Sequence, residues 1–187
     1  MTTGERRNPG DPDARALVER IIRVDQAGEF GAVRIYQGQL AGLRWTGREG
    51  SEAGRKIAAM ARAEREHNKV FDRLLAERRV RPTVLSPLWH VAGFALGAAT
   101  ALMGDKAAMA CTVAIEETID EHYAKQAAEL GDDEAPLRAT IEKFRAEEIE
   151  HKDTALAAGA EQAPAYMPLT AAIKAGSRLA IWLSTRL

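Results

Sequence analysis

The segment Phe144-Arg-Ala-Glu-Glu-Ile-Glu-His151 decides how the chain folds. Helix positions three and four apart share a face, and the face through this segment runs Ile141, Phe144, Glu148, His151, Ala155 and Ala158. A stripe of that period is the buried side of a helix, yet two ionisable residues interrupt its centre. The same interruption occurs upstream, where Ile57, Met60, Glu64, His67, Phe71 and Leu74 again place Glu and His three apart. Two more stripes carry a central Glu: Ile22, Asp25, Glu29, Ala32, Tyr36 and Leu40, then Met109, Thr112, Glu116, Ile119 and Tyr123. Their order repeats, for Glu64 follows Glu29 by 35 residues and Glu148 follows Glu116 by 32. Two similar helix pairs are therefore expected. Antiparallel pairing of the long helices brings four Glu and two His to one level of an all-α four-helix bundle.

The same face test separates neighbouring acids. Glu147 shares its face with Thr140, Lys143, Glu150 and Thr154, and Glu66 shares one with Arg62, Lys69 and Arg73, so both read as solvated residues. Glu117 lies with Asp120 and Glu121, which favours Glu116 as the inward carboxylate, although adjacent helix positions leave that choice open. Four buried carboxylates without a partner are costly, and protonation relieves them only in part. Two divalent cations balance them. A Glu from each of two helices with Glu-x-x-His from the other two is the ligand pattern of ferritin-like di-iron and di-manganese bundles. The expected metal ligands, which are also the catalytic residues, are Glu29, Glu64, His67, Glu116, Glu148 and His151. Oxygen and imidazole donors suit iron or manganese without choosing between them, and the lack of cysteine ligands argues against structural zinc or an iron-sulfur cluster. Asp25, one turn before Glu29, reads either as a residue orienting a ligating His or as a cap or surface pair. His122 and Tyr123 read as groups that back the ligands or face a substrate. His90 receives no role, and Cys111 reads as a small buried residue.

Composition agrees with a helical domain. Thirty-six alanines against 5% aromatics favour helix over pleated sheet. At 187 residues a single domain over 13–187 is expected, behind a flexible polar tail at 1–12. With 26 basic and 27 acidic residues the chain lacks the positive excess that nucleic-acid binding needs. The seven prolines and the Gly-rich breaks delimit helices near 14–44, 52–79, 88–102, 105–130, 134–158 and 169–184, with Asp13 and Ser51 as N-caps. Between Pro82 and Gly104 no charged residue occurs. The continuous apolar part, Leu88 to Met103, makes roughly 24 Å of helix, short of a ~30 Å hydrocarbon core. It reads as an apolar crossover helix between the second and third bundle helices, either buried or lying in a lipid interface. After Glu161 the chain contains Lys174, Arg178 and Arg186 but no acid, so an additional C-terminal helix is expected to suit an anionic membrane surface, with Trp89 and Trp182 at headgroup level. Gly93 and Gly97 have the spacing that lets helices of two protomers, or of a lipid-binding partner, approach closely; packing within one chain is the alternative.

At these residues the chain resembles the demethoxyubiquinone hydroxylase family of ubiquinone biosynthesis, a membrane-associated branch of the ferritin-like di-iron proteins. The resemblance spans nearly the whole chain. It rests on Arg23-Val-Asp-Gln-Ala-Gly-Glu-Phe-Gly-Ala32 with Ile35-Tyr-Gln-Gly-Gln39, and on Ala108-Met-Ala-Cys-Thr-Val-Ala-Ile-Glu-Glu117 with His122 and Tyr123. The segment 144–151 and Ala163-Pro-Ala-Tyr166 with the C-terminal helix complete it. The resemblance implies that Glu29, Glu64 and His67 serve one iron and Glu116, Glu148 and His151 the other, with Glu64 and Glu148 as bridges. It implies an oxygen-dependent monooxygenase that hydroxylates a polyprenyl methoxy-methyl-benzoquinol with dioxygen. NADH or the quinol itself would be the electron donor, although no G-x-G-x-x-G fingerprint occurs. The short N-terminal tail lacks the Arg-rich character of a mitochondrial transit peptide, so a peripheral protein at the cytoplasmic face of a bacterial-type cell membrane is expected. Two rivals use the same residues differently. A ferritin-like iron oxidase or peroxide-reducing protein would need no lipid-facing surface, and a metal-free scaffold on the membrane would leave the buried carboxylates without a purpose.

Overall fold

The computed structural model describes residues 13–187, so the polar tail expected at 1–12 lies outside the described residues. Six helices follow: α1 (Ala14–Trp45), α2 (Glu52–Arg78), α3 (Ser86–Met103), α4 (Asp105–Glu129), α5 (Ala135–Ala157) and α6 (Tyr166–Ser184). No strand occurs among the described residues. The Asp13 carboxylate accepts from Ala16 N and the Ser51 hydroxyl from Gly54 N, so both caps occupy the predicted positions. The last helix begins three residues before its predicted start, because Pro168 falls in the first turn, where a missing N–H leaves no hydrogen bond unmade.

The four long helices α1, α2, α4 and α5 form a ferritin-like bundle, with α3 and α6 laid along one side. Helix α3 climbs parallel to α1: Gly93 packs on Gly31, Gly97 on Ile35, and Gly42 of α1 on Ala98 and Ala101. A Cβ at Gly97 would overlap the Ile35 carbonyl oxygen, so this glycine admits helix to helix within one chain. Of the two alternatives for Gly93 and Gly97, packing within one chain is the one these contacts support, not a contact between protomers or with a lipid-binding partner. Gly104, at φ 129°, then turns α3 directly into α4, a conformation L side chains rarely adopt. Arg48 fixes the corner by donating to Ala101 O at 2.6 Å and to Asp105 Oδ1 at 2.5 Å.

Two apolar clusters fill the bundle. One gathers Tyr36, Leu43, Ile57, Met60, Met109, Val113 and Ala155. The other gathers Ile21, Ile22, Phe71, Tyr123, Leu130, Ile141 and Phe144. Each long stripe leaves one cluster, crosses the polar layer and enters the other, which places the acids of four helices in the middle. No helix among the described residues is long and apolar enough to cross a membrane. Helix α3 buries Gly93, Gly97, Ala98, Thr100 and Ala101 and exposes Leu88, Val91, Leu102 and Met103.

Candidate metal centre

Glu29 comes from α1, Glu64 and His67 from α2, Glu116 from α4, and Glu148 and His151 from α5. The Glu-x-x-His spacing puts both members of each pair on the inward face, one turn apart. All four carboxylates and His67 are buried, and the His151 ring is nearly so, at 12% side-chain exposure. The ligand atoms fall into two groups, each within 4.8 Å: Glu29, Glu64, His67 and Glu148, then Glu64, Glu116, Glu148 and His151. Glu64 and Glu148 belong to both. Glu117, by contrast, turns outward to an ion pair with Lys174 on α6.

His67 Nδ1 lies 3.0 Å from Glu148 Oε1 and 3.5 Å from Glu29 Oε2. His151 Nδ1 lies 3.1 Å from Glu148 Oε2 and 3.0 Å from Glu64 Oε1. Burial, reinforced by the neighbouring Glu148 charge, pushes the Glu29, Glu64 and Glu116 carboxyls above their usual range. Burial acts upward on Glu148 as well, but the imidazole N–H groups of His151 and His67 outweigh it and hold this carboxyl at about 2. The burial that disfavours a charged ring is likewise outweighed at His151, which Glu148 and Glu64 raise to about 9. Protein groups alone thus balance the cluster only by retaining protons. Glu29 Oε2, Glu116 Oε2 and Glu64 Oε2 have no hydrogen-bond partner, and Glu64 Oε1 meets only the His151 nitrogen that it shares with Glu148. Unsatisfied carboxylate oxygens, two imidazoles and two groups that share two carboxylates fit a pair of divalent cations with hard oxygen and borderline nitrogen ligands.

The surrounding groups show what periodicity missed. Tyr36 donates to Glu116 Oε1 at 2.6 Å, and Tyr123 donates to Glu29 Oε1. Each tyrosine stands seven residues after the Glu of its own helix and bonds the Glu of the other. Tyr36 was legible in the first stripe, but only the crossing of α1 and α4 gives it a partner. Glu147 was expected to be solvated. Instead it is partly buried, and its Oε2 lies 2.6 Å from His67 Nε2, on the side of the ring away from the cluster. This corrects the face test, which sorts a half-exposed position by its helix neighbours and cannot see α2 opposite. Asp25 does not orient His67 or His151, nor does it act as a cap; it accepts from Gln126 Nε2 at 2.6 Å, and the same nitrogen lies 2.9 Å from His122 Nε2. Gln126 was not singled out by its sequence context.

A cavity of about 520 Å³ adjoins the cluster between α1, α3, α4 and α6. Its walls are apolar, among them Ile35, Leu96, Ile115, Ile119, Leu169 and Ile173. Asp25, Glu29, His122 and Tyr123 also line it, so the space reaches the carboxylate layer. Trp89 closes part of it by donating to Ser184 Oγ at 3.0 Å, an inward tie rather than a free position at headgroup level. His90 stacks on Phe30 outside this space.

Helical bundle, repeated Glu and Glu-x-x-His, and buried clusters joined by common carboxylates together define the ferritin-like carboxylate class. Within that class the family model described as "Ubiquinone biosynthesis protein COQ7" matches residues 16–184. The chain belongs to this family of ubiquinone-biosynthesis hydroxylases. It is 61% identical over 184 residues to the 3-demethoxyubiquinol 3-hydroxylase of Rhodospirillum rubrum, covering 98% of this chain and 85% of that one. It is 52% identical over 181 residues to the human mitochondrial NADPH-dependent 3-demethoxyubiquinone 3-hydroxylase, at 95% and 81% coverage. The mitochondrial 5-demethoxyubiquinone hydroxylase of Saccharomyces cerevisiae is 38% identical, at 92% and 79% coverage.

Proposed function

We propose that the chain hydroxylates a demethoxylated polyprenyl quinol with dioxygen at a di-iron centre, and that it does so while lying on a membrane surface. The observation that carries this reading is the junction of the buried carboxylate layer with an apolar cavity wide enough for a substituted ring. Glu29, Glu64 and His67 would hold one iron and Glu116, Glu148 and His151 the other, with Glu64 and Glu148 shared. Two ferrous ions held there would supply electrons and a site for activating dioxygen toward an electron-rich ring.

The chain's own residues do the rest. Tyr36 and Tyr123 fix one oxygen of Glu116 and of Glu29, which leaves the other oxygen available to hold a metal. Glu147 accepts the outer N–H of His67, which sets the ring's tautomer and raises the basicity of Nδ1. Phe144, stacked 4.0 Å from His67, keeps water from that side. The aliphatic walls favour an isoprenoid tail and exclude bulk water from the ring. Two electrons per turnover come from outside; a reduced nicotinamide dinucleotide, the donor class in the human relative's name, fits without a Rossmann motif in this chain.

The membrane face is formed by Leu88 and Val91 of α3 with Leu179 and Trp182 of α6, all more than half exposed. Its attraction to lipid is mainly apolar. Lys174 is committed to Glu117 and Arg178 to Glu121, so the acid-free C-terminal segment offers less free positive charge than its composition suggests. The test is product analysis. Iron-loaded protein, a short-chain demethoxyubiquinol analogue, a reductant and ¹⁸O₂ should yield a hydroxylated ring carrying one ¹⁸O atom. Iron oxidation or peroxide consumption with no ring product would contradict the reading and favour a ferritin-like oxidase or peroxide reductase.

A further inference from the structure

The two halves of the bundle repeat with a constant offset of 87 residues through α1 and α4: Glu29 corresponds to Glu116, Tyr36 to Tyr123 and Gln39 to Gln126. Among the positions where the two helices differ, two put a titratable side chain on the cavity. Asp25 stands where the other half has Thr112, and His122 stands where it has Ile35. Both departures face the cavity. Thr112, Gln39 and Gln126 do not line it, whereas Asp25 and His122 do. Gln39, the counterpart of Gln126, spends its amide on the backbone carbonyl of Ala108 at 2.9 Å. Gln126 instead uses one nitrogen to join the two odd residues, Asp25 at 2.6 Å and His122 at 2.9 Å.

That bridge fixes the chemistry of both ends. An amide nitrogen only donates, so His122 Nε2 must accept and the ring's proton sits on Nδ1. Among the described residues no protein group meets His122 Nδ1. Asp25 Oδ1 is taken by Gln126, and Asp25 Oδ2 is buried without a hydrogen-bond partner. A buried, unpartnered carboxylate oxygen on a residue that lines a mainly apolar cavity calls for a ligand that supplies a donor. Beside it stands one free N–H donor.

We propose that Asp25 and His122, spaced by Gln126, form a clamp for the oxygens of a dihydroxylated ring, in which Asp25 Oδ2 accepts a ring O–H and His122 Nδ1–H donates to a ring oxygen. This rests on the quinol-hydroxylase reading above and adds to it a selection between redox states. A quinol brings the O–H that Asp25 requires. The corresponding quinone brings only carbonyl acceptors and leaves the carboxylate oxygen unpaired. Asp25 is then a binding and specificity residue rather than a metal ligand, and Gln126 is a positioning residue.

The test is anaerobic calorimetry of the full chain loaded with Zn(II), which has no redox chemistry, titrated with a short-chain quinol and with its quinone. The wild-type chain should bind the quinol roughly tenfold more tightly, the scale of one hydrogen bond to a charged group. Asp25→Asn should erase or reverse that preference with zinc content unchanged. A second variant, Asp25→Thr with His122→Ile, installs the residues of the other half at the same positions and should bind both rings equally. Equal binding of both rings by the wild-type chain, tighter binding of the quinone, or a preference that survives in either variant would overturn the clamp and leave the hydroxylase reading standing. Failure of the wild-type chain to bind either ring would overturn both.

Discussion

The two carboxylates common to both ligand groups, Glu64 and Glu148, are not alike. Glu64 Oε2 has no hydrogen-bond partner, and burial beside Glu148 raises this carboxyl, so Glu64→Gln puts a neutral amide where the metal-free protein disfavours the ionised carboxylate. Its metal-free form should melt at or above the wild-type temperature while iron binding is lost. Glu148→Ala should do the opposite to the metal-free fold, because it deprives His67 and His151 of their common acceptor. Differential scanning calorimetry of both metal-free variants separates the two cases. Tyr36→Phe leaves Glu116 Oε1 without its donor, and a loss of metal affinity of about 10- to 100-fold is expected, measured by competition with a chelator. The ligand positions were legible in the sequence because an acid inside an apolar stripe conflicts with burial unless something balances it. Tyr36, Gln126 and Glu147 carry no such conflict. A tyrosine or glutamine suits a helix flank anywhere, and its partner lies 80 to 101 residues away.

Helix α3 is held against α1 by glycines whose spacing the sequence reveals but whose partner it does not. Small-x-x-x-small fits two chains as well as one, and only the parallel course of α3 along α1 decides the matter. Gly97→Ala drives a methyl group into the Ile35 carbonyl and should destabilise the protein by about 1–3 kcal/mol in urea unfolding, the scale of overpacking. Gly28→Ala is the contrasting case. Nothing lies within 4 Å of a Cβ there, so the gain in helix propensity should stabilise α1 by about 0.5–1 kcal/mol. Because Gly28 lines the cavity, the same variant should raise KM for the quinol. Helix ends were readable from caps and prolines; the two starts that fall earlier than expected, at Ser86 and Tyr166, each follow from a proline that the first turn tolerates.

In the bundle as a whole, protons occupy the cluster proposed to hold the metals. A His151 raised from 6.5 to about 9 contributes stability that is complete below pH 6.5 and lost as pH rises through 9. The raised Glu29, Glu64 and Glu116 act in the same direction, since the folded chain keeps protons the unfolded chain releases. Glu148, lowered to about 2, acts oppositely and only in acid, its contribution being lost as pH falls below its ordinary 4.5. The metal-free protein should therefore lose melting temperature from pH 6.5 to 9. The iron-loaded protein should lose far less, since cations replace the protons. The measurement that bears most directly on this centre is an anaerobic titration of the chain with ferrous iron, followed by total metal analysis. About two irons per chain in the wild type, with both lost together in Glu64→Gln because that carboxylate belongs to both ligand groups, is the predicted result. One iron per chain, or two retained in Glu64→Gln, would contradict it.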